Sequence, residues 1–147
     1  MTSNIFEINY NGTGASQSNN ALGMREMQAR VYAKRTSQHL LIKAPPASGK
    51  SRALMFIALD KLHAQGLKKA IIAVPERSIG KSFRSTKLTE YGFYWDWEVF
   101  PKNNLTDQGT SKSKVKQFVD FMHSESPDDR VLICTHATLR FAFEQLA

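Results

Sequence analysis

The sequence is short of three things, and each shortage excludes something. Cysteine occurs once, as Cys134, so no internal disulfide can staple the chain. That usage fits a reducing compartment, and the cytoplasm is the expected location. Cys134 lies inside the apolar run Val131–Cys134, which reads as a buried, inert thiol. Long apolar runs are missing too. None approaches the roughly 18 residues that a membrane-spanning helix needs, so no membrane association is expected. The first residues are polar and lack the hydrophobic core of a signal peptide. Acidic residues are outnumbered: 13 Asp and Glu stand against 20 Lys and Arg, a formal net charge of +7. A basic surface suits a polyanion, although solubility alone is an equal reading of charge. With 147 residues and 41% hydrophobic content, the chain can bury one real core.

What is present is organised around Ala44-Pro45-Pro46-Ala47-Ser48-Gly49-Lys50-Ser51. The apolar run His39–Ala44 precedes it and a helical pattern follows from about Gly49. This is strand, tight loop, helix, with the loop ending in Gly-Lys-Ser as a phosphate-binding P-loop does. Gly49 would let the backbone approach a phosphate without a Cβ in the way. Successive amides and the following helix N-terminus favour negative charge there. Lys50 would neutralise the β- and γ-phosphates, and the Ser51 hydroxyl would ligate Mg²⁺. Ala44 stands where the general pattern has Gly. The competing reading is an ordinary helix N-cap by Ser48 or Ser51.

The remaining chain reads as alternating strands and helices. Residues 1–22 are rich in Asn, Ser, Gly and Thr and read as a flexible N-terminal segment. Within it Ile5, Phe6, Ile8 and Tyr10 suit a short strand, and Asn11–Asn20 a mobile linker. A helix is expected from Met24 to about Gln38, with Met24, Met27 and Val31 on one face; on it Gln28, taken alone, reads as solvated. The continuous apolar Leu40-Leu41-Ile42 suggests a strand covered on both faces. Arg52–Gln65 is a predicted helix with Leu54, Ile57, Ala58 and Leu62 inward, stopped by Gly66. Lys69–Val74 is a second predicted buried strand, forming a βαβ unit with the first. Glu76–Leu88, carrying Arg77, Lys81, Arg84 and Lys87, is expected as a short helix at the carboxyl edge of the sheet, where ligands of open α/β sheets bind.

Tyr91–Phe100 alternates Phe93, Trp95, Trp97 and Val99 with polar neighbours, which predicts a strand with one buried face rather than a base-stacking surface. Pro101–Ser111 reads as a polar loop. Lys112–His123 reads as an amphipathic helix with Val115, Phe118, Val119 and Met122 inward. Arg130–Cys134 is predicted as a core strand, and Thr135–Thr138 as the cap of a last helix, Leu139–Leu146.

Taken in order, four motifs carry a resemblance: Met24-Arg25-Glu26-Met27-Gln28; the Ala44–Ser51 loop; Ala73-Val74-Pro75-Glu76-Arg77-Ser78-Ile79; and Cys134-Thr135-His136-Ala137-Thr138-Leu139-Arg140. Over Met24–Ala147 the chain resembles the first RecA-like domain of a superfamily 2 DEAD/DEAH-like helicase of the restriction-translocase kind. An opening Ala is frequent in that family's P-loop. The resemblance implies an α/β P-loop NTPase fold of three layers with a mainly parallel sheet, in which residues 23–147 form a partial RecA-like ATP-binding domain. It implies that Gln28 contacts adenine and that Pro46, Ala47, Ser48, Gly49, Lys50, Ser51 and Arg52 hold ATP. Lys50 would be the catalytic lysine and Ser51 the Mg²⁺ ligand. Arg77, Ser78, Lys81, Thr135 and Thr138 would touch nucleic acid, DNA ahead of RNA. Glu76 and Ser82 depart from the family pattern, which commonly has Thr and Gln there.

Hydrolysis in this class needs an Asp to hold Mg²⁺ and a Glu to orient water. No apolar strand here ends in that pair, and Asp128-Asp129 precedes its strand. In the family the pair follows the Thr-His-Ala-Thr-Leu region. The expectation is therefore the N-terminal part of a longer helicase, missing its C-terminal remainder, that grips ATP without turning it over. The rival expectations are a small P-loop kinase and a non-catalytic nucleotide- or nucleic-acid-binding module.

Overall fold

A computed structural model describes residues 5–9, 19–106 and 113–146. The expected linker, at residues 11–18, and the far end of the polar loop, at residues 107–111, lie outside the described residues, as does Lys112. The chain is mixed α/β, with two two-stranded parallel sheets among the described residues. It divides into two compact units: Met1–Gln65 with Lys87–Asp96, and Gly66–Thr86 with Trp97–Ala147.

In the first unit, β1 (Ile5–Asn9) pairs in parallel with β2 (His39–Lys43), Ile5 opposite His39 and Asn9 opposite Lys43. Between them runs α1 (Glu26–Tyr32), and α2 (Lys50–His63) follows β2. Helix α1 is shorter than the predicted span. Asn20 shapes the approach to it, its Oδ1 accepting from the amides of Leu22 and Met24, both at 2.9 Å. Met27 and Val31 of α1, Ala53 and Ile57 of α2, and Leu40, Ile42 and Ala44 from the β2 segment form one apolar cluster.

Two inward assignments are corrected here. Strand β2 is covered on one face only: Leu40 and Ile42 are half-buried while Leu41 between them is 48% exposed. A strand packed on a single helical layer buries alternate side chains, whatever its continuous hydrophobicity. Leu54 is likewise 38% exposed, because Ala53, Ile57 and Ala58 occupy the buried arc of α2.

The segment Lys87–Asp96 is no strand. A 3₁₀ helix, Leu88–Tyr91, gives way to a turn at Gly92 (φ 108°). Leu88 and Phe93 are buried, and Phe93 joins Tyr32 and Phe56 in an aromatic cluster. The loop conformation is held by Asp96, whose Oδ1 accepts from the Thr89 amide (2.9 Å) and hydroxyl (2.8 Å). These two bonds hold the Asp96 carboxyl below its usual range. Alternation thus marked which rings are buried, while local hydrogen bonding decided the backbone.

In the second unit, β3 (Ala70–Val74) pairs in parallel with β4 (Val131–Thr135). The two strands of the expected βαβ unit, β2 and β3, fall in different units. Each of the two finds another parallel partner, β1 for β2 and β4 for β3. Strand β4 is buried from Val131 to Cys134, whereas β3 is half-buried apart from Val74. Helices α3 (Lys114–His123) and α4 (His136–Leu146) close the core around Leu105, Phe118, Phe121, Leu132, Cys134 and Ala142. The Ser113 hydroxyl caps α3 by accepting from the Lys116 amide at 3.3 Å. As expected, Cys134 is fully buried, and burial pushes its thiol up to about 11, away from the thiolate that reactivity requires.

Trp97 is also fully buried, its indole N–H donating to the Phe83 carbonyl at 2.7 Å, and its backbone bridges to Thr86. Asp129, in the turn before β4, accepts from Asn103 Nδ2 at 2.8 Å, from the Ser124 hydroxyl and from Lys102 Nζ at 3.1 Å. Despite the cost of burial, these donors hold its carboxyl down to about 2. It is a structural anchor for the turn.

Candidate functional site

The loop Ala44–Gly49 leaves the carboxyl end of β2 and enters α2 in a manner no ordinary cap explains. Gly49 is the N-cap residue at φ 93°, and no side chain caps the helix. Neither Ser48 nor Ser51 therefore serves as an N-cap. The first intrahelical bond runs from the Ala53 amide to the Gly49 carbonyl at 3.1 Å, so the amides of Lys50, Ser51 and Arg52 have no acceptor within the helix. Ala47 is also left-handed, at φ 62°. An L-residue in that region costs about 1–2 kcal/mol, and strain of this kind gathers at ligand sites.

Two side chains of α1 and its cap hold the loop in this shape. Gln28 is 2% exposed, not solvated. Its Nε2 donates to the Gly49 carbonyl at 3.0 Å and its Oε1 accepts from the Arg25 amide at 2.8 Å. A Cβ on Gly49 would lie 2.4 Å from Gln28 Nε2, so a side chain there would displace the Gln28 amide as well as strain the left-handed backbone. Arg25 Nη1 donates to the Ala47 carbonyl at 3.4 Å. Neither buttress was readable as such in the sequence, because each spans residues far apart along the chain.

The polar chemistry converges on the loop. Lys50 Nζ donates to the Ala44 carbonyl at 3.0 Å, spanning the loop from its last residue to its first. Ser48 Oγ is buried without a partner. An unsatisfied buried hydroxyl costs on the order of 1–3 kcal/mol, and it suits an acceptor oxygen brought by a ligand. Ser51 is half-buried on the first turn of α2. Pro46 and Ala47 are exposed. Arg52 lies with its guanidinium 5.2 Å from the ring centroid of Tyr91. Unpaired amides, the Lys50 ammonium, a free hydroxyl and no acidic side chain in the first turn are chemistry that could receive a polyphosphate, and the Ser51 hydroxyl is of a type that could ligate a divalent cation.

In the second unit the other candidate residues gather at the carboxyl ends of β3 and β4, where Val74 pairs with Thr135. Arg77, Ser78 and Lys81 lie exposed on a 3₁₀ helix, Arg77–Phe83, which is the short helix expected there. Arg77 Nε donates to the Thr106 carbonyl at 3.0 Å, which orients its guanidinium. Gly80 packs so closely on Thr106 that a Cβ would meet Oγ1 at 2.0 Å. Thr135 and Thr138 are brought together, with the Thr138 amide and hydroxyl both 3.2 Å from Thr135 Oγ1. Thr138 is buried, so of the two only Thr135 is partly open to a ligand. Lys114 joins this edge. Burial, and then the neighbouring charge of Arg77, lower its ammonium below the usual lysine range. Among the described residues no strand end carries an acidic pair, and no cluster of His, Cys, Asp and Glu suits a metal. No described helix is long and apolar enough to cross a membrane.

No protein-family model and no solved structure matches the chain. Over 143 residues, 97% of its length, it is 67% identical to a Bacillus subtilis (strain 168) protein named "Putative ATP-dependent helicase YeeB". The chain spans 23% of that protein's length, so the likeness is to one part of a larger helicase-named relative.

Proposed function

We propose that this chain is the ATP-gripping portion of an ATP-dependent helicase or translocase acting on nucleic acid. The observation that carries the reading is the Ala44–Ser51 loop: left-handed at Ala47 and Gly49, uncapped by any side chain, and spanned by Lys50. The 67% identity to a protein bearing a helicase name supports the same reading. In this proposal the fold is RecA-like. Residues 23–147 belong to one nucleotide-binding module, which works in the cytoplasm.

The roles follow from the chemistry each group can offer. Lys50 balances the charge of the β- and γ-phosphates, and the amides of Gly49–Arg52 donate to phosphate oxygens. Ser48 Oγ gains the partner it lacks. Ser51 holds Mg²⁺, which when bound supplies charge neutralisation across the phosphates. Gln28 fixes the loop through Gly49 and keeps a second Oε1 lone pair for the adenine edge. Arg77, Ser78, Lys81 and Thr135 face a phosphodiester backbone, with Thr138 holding Thr135 in place. Such hydroxyl and cationic contacts position a strand without reading its sequence, which leaves DNA, the favoured substrate, and RNA both compatible with them.

Turnover requires a carboxylate to hold Mg²⁺ and another to orient water, and no described strand end supplies them. The chain by itself is therefore proposed to bind ATP without hydrolysing it. The test is calorimetry with Mg·ATP on the native chain and on Lys50→Ala. One charge-assisted contact is worth about 1.5–3 kcal/mol, so the variant should bind roughly 10- to 100-fold more weakly. Equal binding by both proteins would overturn the phosphate-loop reading. ATP hydrolysis by the native chain, lost in Lys50→Ala, would overturn the non-hydrolysing part alone.

A further inference from the structure

We propose that Tyr91 and Arg52 together form the platform on which the base of the bound nucleotide stacks; the proposal rests on the phosphate-loop reading above. Arg52 stands on the first turn of α2, immediately after Lys50-Ser51, so its reach begins where the phosphates would be held. Its guanidinium lies 5.2 Å from the Tyr91 ring centroid. Guanidinium planes and aromatic faces are the two surfaces on which bases stack most readily.

Tyr91, like the more exposed Tyr94, keeps its ring out of the core of its unit. Tyr32, Phe56 and Phe93 bury their rings against one another in the same unit, whereas Tyr91 remains 53% exposed. Its backbone is nonetheless firmly placed. At Gly23, with φ 75°, an added Cβ would meet the Tyr91 carbonyl oxygen at 2.6 Å and its Cβ at 2.7 Å. At Gly92, with φ 108°, an added Cβ would meet the Ala21 carbonyl oxygen at 2.1 Å. Two close backbone approaches therefore clamp the end of the 3₁₀ helix Leu88–Tyr91, and Leu88 anchors its start in the core. A half-exposed ring carried on a firmly placed backbone is positioned to accept a flat ligand.

The same clamp lies just ahead of α1, whose Gln28 buttresses Gly49. Both polar ends of Gln28 already have partners, so its contact with a base can supply only edge recognition, and Tyr91 and Arg52 supply the face. Stacking of this kind tolerates any base. It distinguishes a nucleoside triphosphate from bare polyphosphate, and it adds affinity without adding to the phosphate chemistry.

The test measures affinity for Mg·ATP and for Mg²⁺ with inorganic tripolyphosphate, on the native chain, Tyr91→Ala and Tyr91→Phe. Alanine keeps the Cβ and backbone that pack on Gly23, so the clamp survives. Tyr91→Ala should weaken ATP binding about tenfold and leave tripolyphosphate binding unchanged, whereas Tyr91→Phe should behave as native. An ATP affinity unchanged in Tyr91→Ala overturns the inference. So does an equal loss for both ligands, which would make the ring structural. If the native chain binds tripolyphosphate as tightly as ATP, the base platform fails while the phosphate loop stands. If it binds neither, both readings fall.

Discussion

The two units share one plan and use it for opposite ends. Each has two parallel strands with a helix in the connection between them, and each follows its second strand with another helix. After β4 that helix begins at once: Thr135 ends the strand, His136 opens α4, and Thr135 Oγ1 takes the Thr138 amide. The transition satisfies itself. After β2 the chain instead spends six residues, Ala44–Gly49, on a loop with two left-handed positions, and enters α2 with no side-chain cap. The same crossover is closed by a hydroxyl in one unit and left open to an outside acceptor in the other. Stability in such a pair should reside where the polar groups are paired, and ligand binding where they are not.

The largest effect expected from breaking this contrast lies in the second core. Phe118 is fully buried among Leu105, Phe121 and Leu132. Phe118→Ala should cost about 3–5 kcal/mol of unfolding free energy in urea; a loss below about 1 kcal/mol would mean the core is not closed as described.

Gly49→Ala comes next. It places an alanine in the left-handed region, at about 1–2 kcal/mol, and sets a Cβ 2.4 Å from Gln28 Nε2. Nucleotide binding should be lost by calorimetry while far-UV circular dichroism keeps the native helical signal. Retention of ATP affinity would show that the loop need not hold this shape.

The smallest effect sharpens the comparison from the other side. Thr135→Ala removes the acceptor for the Thr138 amide. It should lower the unfolding free energy by about 1 kcal/mol and leave ATP affinity untouched, whereas Thr135→Ser restores the cap. A change in ATP affinity in Thr135→Ala would contradict the division of roles.

Much of this was legible beforehand. The strand, loop and helix around Gly49-Lys50-Ser51 were identifiable from an apolar run followed by a helical pattern. Helices α2, α3 and α4 follow their periodic apolar positions to within a few residues. Tyr91–Phe100 was misread. Period-two burial of Phe93 and Trp97 arose in turns held by Asp96, Gly92 and the Thr86–Trp97 bridge, which mimic the alternation of a strand without its ladder. Gln28, which taken alone reads as solvated, is buried, and the reason is related: its partner Gly49 is remote in sequence, so nothing local marks the contact. Tyr91 beside Arg52 was invisible on the same grounds.

What the amino-acid sequence determined by itself was tied to local order: the strand, loop and helix around Gly49-Lys50-Ser51, the buried thiol of Cys134, the excess of basic residues, and the strands and helices whose apolar spacing leaves them one way to hide. What only the tertiary structure decided was pairing. β2 aligns with β1 and β3 with β4, Leu41 is left uncovered, and Gln28 becomes a buttress instead of a solvated side chain. The physical reason is range. Backbone dihedrals and side-chain periodicity act over a few residues, whereas strand partners and buried polar contacts are selected among all the surfaces that the rest of the chain happens to offer.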